Sequence, residues 1–193
     1  HERKGSRFES VAHWNDACTR DHRELFSRVK ADVLELAGWV NARFEATVYE
    51  DPHSPLCIIA ANNGDMDKIN TRLDDYARTI PHLTVVRNDV YARFSHAAYN
   101  KGTALAEVAR LNDLSRDHVF AVGDHLNDLP MLKRDFARFL ATTANAVPEV
   151  RAAVAEAKGY LSSLSHGYGV ADALRHFGLN SGGNLPGSQK QHH

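Results

Sequence analysis

His118-Val119-Phe120-Ala121-Val122, followed at once by Gly123-Asp124-His125-Leu126-Asn127-Asp128, is the stretch whose reading decides the fold. An apolar β run stops at a glycine, and two carboxylates and a carboxamide crowd the turn beyond it. Hard cations take carboxylate oxygens, and open α/β sheets bind ligands outside the carboxyl ends of their strands. The stretch therefore points to a Mg²⁺ or phosphate site at the end of a parallel strand. A second reading stays open at this stage. Asp124 or Asn127 could equally cap a helix over Leu129-Pro130-Met131-Leu132, because Asp, Asn and Gly favour such turns on conformational grounds alone.

Outward from this segment, helix and strand patterns alternate. Lys101 to Leu111 is predicted helical, His118 to Val122 a strand and Leu126 to Lys133 helical. Ala137 to Thr142 follows as a strand, Pro148 to Ala155 as a helix, Gly159 to Leu161 as a strand and Gly169 to Phe177 as a helix. Strands separated by helices of this length imply parallel βαβ units. Before Tyr99 the rhythm differs. Arg20 to Val40 carries Leu25, Phe26, Val29, Val33, Leu34, Ala37 and Val40 at helical spacing, and no strand pattern precedes Phe44. Ala42 to Glu50 and Leu56 to Ala61 then read as an antiparallel strand pair joined at Asp51-Pro52-His53-Ser54-Pro55. Leu83 to Arg87 and Asp89 to Phe94 form two more short β runs. Between the pairs, Asp65-Met66-Asp67 has the acid-x-acid form of a phosphoryl-transfer nucleophile. It opens a helix bearing Ile69, Leu73, Tyr76 and Ala77, however, so helix capping is the preferred reading.

The chain has 193 residues and a formal net charge of −1. Its basic residues are interleaved with acids, which removes the electrostatic footprint of a nucleic-acid partner. Neither a transmembrane run nor a signal peptide is visible, so no membrane partner is expected. Cys18 and Cys57 lie far apart without metal-ligand spacing, which argues against a disulfide framework and for a reducing, cytoplasmic location. The chain opens on His1 without an initiator Met and reads as a piece that begins in mid-protein. Residues 180–193, rich in Gly, Ser, Pro and Gln, are expected to form a disordered tail.

Three signals now occur in order: Asn100-Lys101-Gly102-Thr103-Ala104-Leu105, the acidic hexapeptide, and Thr143-Ala144-Asn145-Ala146-Val147-Pro148-Glu149-Val150. Together they resemble the haloacid dehalogenase (HAD) superfamily. The match is to its phosphatases with a large cap inserted before the Lys-Gly helix, the Cof-type and sucrose-phosphatase-like hydrolases, and it covers roughly Asn100 to Gly178. The resemblance implies an α/β fold, a HAD-like Rossmannoid parallel sheet in the C-terminal part joined to an α+β C2-type cap. The cap would span 1–98, the C-terminal part of the core 99–179, and the tail 180–193.

By the same resemblance Lys101 stabilises the nucleophile carboxylate and the transferring phosphoryl group, and Asp124 is a catalytic residue that ligates Mg²⁺. Asp128 supports the metal shell, and Asn127 bonds a phosphate oxygen or orients the ion's waters. Asn145 is a substrate-side or support residue, with a loop cap as the competing reading. His53 and Arg87 are cap residues within reach of substrate, or else solvated surface groups. The implied function is Mg²⁺-dependent hydrolysis of a small phosphate ester, such as a sugar phosphate, through an aspartyl-phosphate.

The family's acid-x-acid nucleophile and its Ser/Thr motif, which precede the cap, are not visible here. The expectation is that they lie upstream of His1 and that these 193 residues alone are inactive. A phosphomutase, or a catalytically inactive HAD-like module for binding or assembly, remains an alternative. A receiver-type phosphoacceptor is disfavoured, because a compact receiver has no place for the cap-like half. Oligomeric state is not legible in the sequence.

Overall fold

The computed structural model describes residues 11–179 in full, and the backbone of β1 (Glu2–Lys4) and β2 (Arg7–Glu9) before them. The expected tail, 180–193, lies outside the described residues. β1 and β2 pair antiparallel, Arg3 opposite Phe8. They correct the expectation that no strand precedes Phe44: their residues are mostly charged, so no apolar alternation announces them.

The chain divides into two compact units, residues 1–100 and 101–193. In the first, α1 (Ala12–Asn41), β3 (Ala46–Asp51), β4 (Ser54–Ala60), α2 (Asn63–Ala77), β5 (Leu83–Asn88) and β6 (Tyr91–His96) follow one another. The four longer strands form an antiparallel sheet in the order β3-β4-β6-β5.

Period-two alternation turns Leu56, Ile58 and Ala60 of β4, with Ala92 and Phe94 of β6, toward the helices. Leu25, Val29, Val33, Leu36 and Val40 of α1, and Met66, Ile69, Leu73 and Ala77 of α2, meet them at near-four-residue spacing and complete the core. Full burial of each large member contributes about 1.5–3 kcal/mol. The alternate position Ile59 remains exposed. α1 begins at Ala12 rather than Arg20. Its weakly patterned first turns are held by tertiary contact, the Trp14 ring standing edge-on to Tyr99 with centroids 5.3 Å apart.

Both acids of Asp65-Met66-Asp67 are structural. Asn62 is the N-cap of α2, its side chain accepting the Asp65 amide at 2.9 Å, while the Asp65 carboxylate accepts from Asn62 and Lys68. Asp67 accepts a 2.6 Å bond from Arg87 Nη1.

The second unit contains α3 (Lys101–Leu111), β7 (Phe120–Gly123), β8 (Phe139–Thr142), α4 (Pro148–Glu156), β9 (Tyr160–Leu161) and α5 (His166–His176). Its sheet is parallel, β7-β8-β9, with Gly123 opposite Thr142 at the strand ends. Val119, Ala121, Leu132, Ala137, Leu140, Ala146, Val150 and Val154 form its core. The fold class is thus α/β, with a parallel sheet in the second unit and a separate antiparallel α+β unit before it.

Two local expectations are corrected. β7 starts at Phe120 rather than His118, because Arg116–His118 forms a 3₁₀ turn. The predicted helix over Leu126 to Lys133 is instead a 3₁₀ turn at Leu126–Asp128 that continues as further tight turns. Its amides bond three residues back, Asp128 to His125, Leu129 to Leu126, Met131 to Asp128 and Leu132 to Leu129. Pro130 supplies no N–H, so an α ladder through this segment would lack one of its bonds.

Candidate active site

The acidic turn leaves β7 at its carboxyl end, and α3 presents Lys101 to it from its first position. Lys101 Nζ forms an ion pair and hydrogen bond with Asp128 Oδ1. The other Asp128 oxygen accepts the amides of Asp124 and His125 at 3.0 and 3.1 Å. Burial raises the pKa of this carboxyl, but the Lys101 bond and the two amides more than offset it, and the net shift is downward. Asp128 is therefore a buried, ionised hub, while the Lys101 side chain remains 48% exposed.

Two glycines make this hub possible. A Cβ on Gly123 would lie 2.4 Å from Asp128 Cβ, and one on Gly102 would lie 2.4 Å from the Pro130 carbonyl oxygen. The Lys-Gly pair thus has a steric cause: only a residue without a side chain lets α3 approach the turn closely enough for Lys101 to reach Asp128. Thr142 at the end of β8 donates its hydroxyl to the Gly123 carbonyl at 2.8 Å, locking the two strand ends together.

Asp124 is exposed, yet three of its atoms are fixed. Its amide donates to Asp128, its carbonyl accepts from Val147 at 3.0 Å, and its Oδ2 accepts from Asn145 Nδ2 at 2.8 Å. Oδ1 has no hydrogen bond among the described residues. Asn145 Oδ1 accepts the His166 amide at 2.7 Å, so this carboxamide bridges the β7 turn and the start of α5. Asn127, half-buried in the 3₁₀ turn, has no side-chain hydrogen bond among the described residues.

The structure brings Lys101, Asp124, Asp128 and Asn145 into one connected network, with Asn127 in the same turn. Asp128, expected to support the metal shell, accepts hydrogen bonds from the protein on both of its oxygens. Of the two candidates in the first unit, Arg87 is sequestered: Nη1 bonds Asp67, Nη2 bonds Asn63 and Nε bonds the Asp89 carbonyl. His53 is exposed in the β3–β4 turn, its amide donating to Asp51. The sequence assigns no part to Thr142 or the His166 amide, and it marks Gly123 only as the end of the β run, not as the space that Asp128 fills. A backbone amide carries no signal of its own in the sequence.

Among the described residues no group of three or more His, Cys, Asp or Glu converges into a metal cage. Mg²⁺ needs no such cage, since it commonly binds through one or two carboxylates, retained waters and substrate phosphates. A fixed, exposed carboxylate with one oxygen outside any hydrogen bond suits that mode.

The parallel sheet thus gathers a lysine and two aspartates at one strand end, where open α/β sheets bind their ligands. A family model described as haloacid dehalogenase-like hydrolase matches residues 40–174, and the chain belongs to that family.

A phosphoglycolate phosphatase from Methanothermobacter thermautotrophicus is 38% identical over 78 residues, which cover 40% of this chain and 33% of that protein. The chain spans about a third of the length of the curated relatives it matches. Among solved structures, the sucrose-phosphatase of Synechocystis, in complex with sucrose and phosphate, superposes with a TM-score of 0.62 at 18% identity, covering 86% of this chain and 66% of that one. A Thermoplasma acidophilum protein gives 0.54 at 16%, covering 77% and 62%. These two likenesses show the fold.

Proposed function

We propose that the protein is a Mg²⁺-dependent phosphatase of small phosphorylated metabolites, sugar phosphates among them, working through an aspartyl-phosphate. The observation that carries this reading is the network at the end of β7: an ammonium held by a buried carboxylate, beside an exposed carboxylate fixed at three atoms. Lys101 offsets charge on the transferring phosphoryl group, with Asp128 setting its direction. Asp124 offers Oδ1 to Mg²⁺, which when bound neutralises phosphate oxygens. Asn127 donates to a phosphate oxygen, and Asn145 supports Asp124. Asp65 and Asp67 are engaged in capping and pairing, so the nucleophilic aspartate and its acid/base partner are assigned to a part of the protein outside the described residues. The first unit, as a C2-type cap, confers substrate selectivity. Its free thiols, Cys18 and Cys57, suit a reducing cytoplasm.

The full-length protein is expected to release phosphate from a generic aryl phosphate only when Mg²⁺ is supplied, and Asp124→Ala is expected to abolish release. Full turnover by Asp124→Ala would refute the metal assignment. Phosphate-ester binding without release by the wild type would favour the binding-module reading instead.

A further inference from the structure

We propose that Asn145 is a positioning residue that fixes Asp124 against the start of α5, with the His166 amide as the anchor. This deepens the reading of Asp124 as a metal ligand and rests on it.

Each atom of the Asn145 carboxamide has a defined task. Oδ1 accepts from the His166 N–H at 2.7 Å, which requires the oxygen to face α5. Nδ2 then faces Asp124 and donates to Oδ2 at 2.8 Å. A carboxamide flipped by half a turn would set oxygen against carboxylate and N–H against N–H, so the two bonds specify one orientation. The consequence for Asp124 is selective. One oxygen is occupied, the other is left to a cation, and the bond favours one orientation of the carboxylate.

The anchor is itself held in an uncommon backbone state. His166 has φ +53°, the left-handed region that a non-glycine residue enters at a cost. Ser165, the N-cap of α5, makes no side-chain cap bond, so the helix start is secured by other means. Those means converge on the same loop. Ala144 N–H donates to the Leu164 carbonyl at 2.9 Å. Gly169 lies so close that a Cβ there would sit 2.3 Å from the Leu164 oxygen and 2.7 Å from Thr143 Cγ2. Further along α5, Asp172 accepts from the hydroxyls of Tyr160 and Ser162 at 2.8 and 2.7 Å. α5 is thus clamped to the segment that carries Asn145, and the strained His166 amide is a fixed point from which the carboxamide steers Asp124. Groups that hydrogen-bond a ligating carboxylate typically change metal affinity 10- to 100-fold when removed.

The test uses the full-length protein with Mn²⁺ as the probe, its dissociation constant read by electron paramagnetic resonance, beside the thermal midpoint measured without metal. Asn145→Ala and Asn145→Ser should each weaken Mn²⁺ binding by roughly 10- to 100-fold with the metal-free midpoint unchanged, a split that a purely structural role would not produce. His166→Gly keeps the N–H and suits the left-handed backbone, so it should retain wild-type Mn²⁺ affinity. If His166→Gly weakens binding as much as Asn145→Ala, the imidazole and not the amide is the anchor, and the proposal is overturned. If both Asn145 variants bind Mn²⁺ like the wild type while Asp124→Ala does not, Asn145 has no positioning role. If Asp124→Ala binds Mn²⁺ normally, the metal reading itself fails, an outcome distinct from the others.

Discussion

Gly123 shows how much of the site is decided by the absence of one carbon. Its missing Cβ is the space in which Asp128 sits, and Asp128 in turn orders Lys101 and two backbone amides. Gly123→Ala should cost about 1–3 kcal/mol through overpacking, seen as a lower denaturant midpoint, and should impair phosphate release by displacing Asp128. A stable, fully active variant would show that the hub tolerates displacement. The same reasoning separates what residue identity reveals from what it conceals. Lys101, Asp124, Asp128 and Asn145 are legible as candidates because their residue types and order are distinctive. That Asp128 spends both oxygens on the protein is not legible, since it depends on a lysine 27 positions away in sequence. Arg87 is a similar case: three partners from neighbouring elements sequester a guanidinium that reads as free in the sequence.

At the scale of elements, α1 and β6 are joined by neutral histidines. His22 on α1 donates Nδ1–H to the Cys18 carbonyl at 2.8 Å, and its Nε2 accepts the His96 amide at 3.1 Å. His96 at the end of β6 accepts the Ala98 amide on Nδ1 at 3.2 Å and stacks on His82 with centroids 5.3 Å apart. Cys18, Asp21, His53 and Arg93 bear on His22, and His22, His82, Asp21 and Arg28 on His96. Burial is the main cause that lowers both pKa values, with Arg93 and His53 adding to it at His22, and His22, His82 and Arg28 at His96.

Protonation would place a donor where each ring must accept. With the folded values depressed below about 6.5, the unfolded chain binds more protons, so stability rises with pH and is lost as pH falls from about 6.5 toward the depressed folded values. The thermal midpoint of the first unit should drop between about pH 7 and pH 5. His22→Gln, which keeps an acceptor but cannot titrate there, should flatten that slope. An unchanged slope would remove His22 from the account. Elements with strong periodicity, such as the α2 and β4 cores, are legible in the sequence, whereas the early start of α1 is not, because Trp14 packs on Tyr99, a residue far along the chain, beyond β6.

At the scale of the molecule, the two units differ in how their sheets are enclosed. β4 and β6 each have strands on both sides, whereas β7 is an edge of its sheet among the described residues. Parallel sheets are usually buried, and edges exchange readily. In hydrogen exchange of this chain, peptides across Phe120–Gly123 should therefore lose protection before those across Ser54–Ala60. Equal protection would mean that the β7 edge is covered. What the sequence by itself determined is the alternation of helix and strand after Asn100, the antiparallel pairs before it and the identity of the acidic turn. Those follow from local periodicity and from residue chemistry that acts over a few positions. Only the tertiary structure decided that the segment after Asp128 is a chain of 3₁₀ turns, that Asp128 serves Lys101 and that Asn145 ties Asp124 to α5. Each depends on the distance between segments remote in the chain, which hydrogen-bond geometry and close packing set and no local pattern encodes.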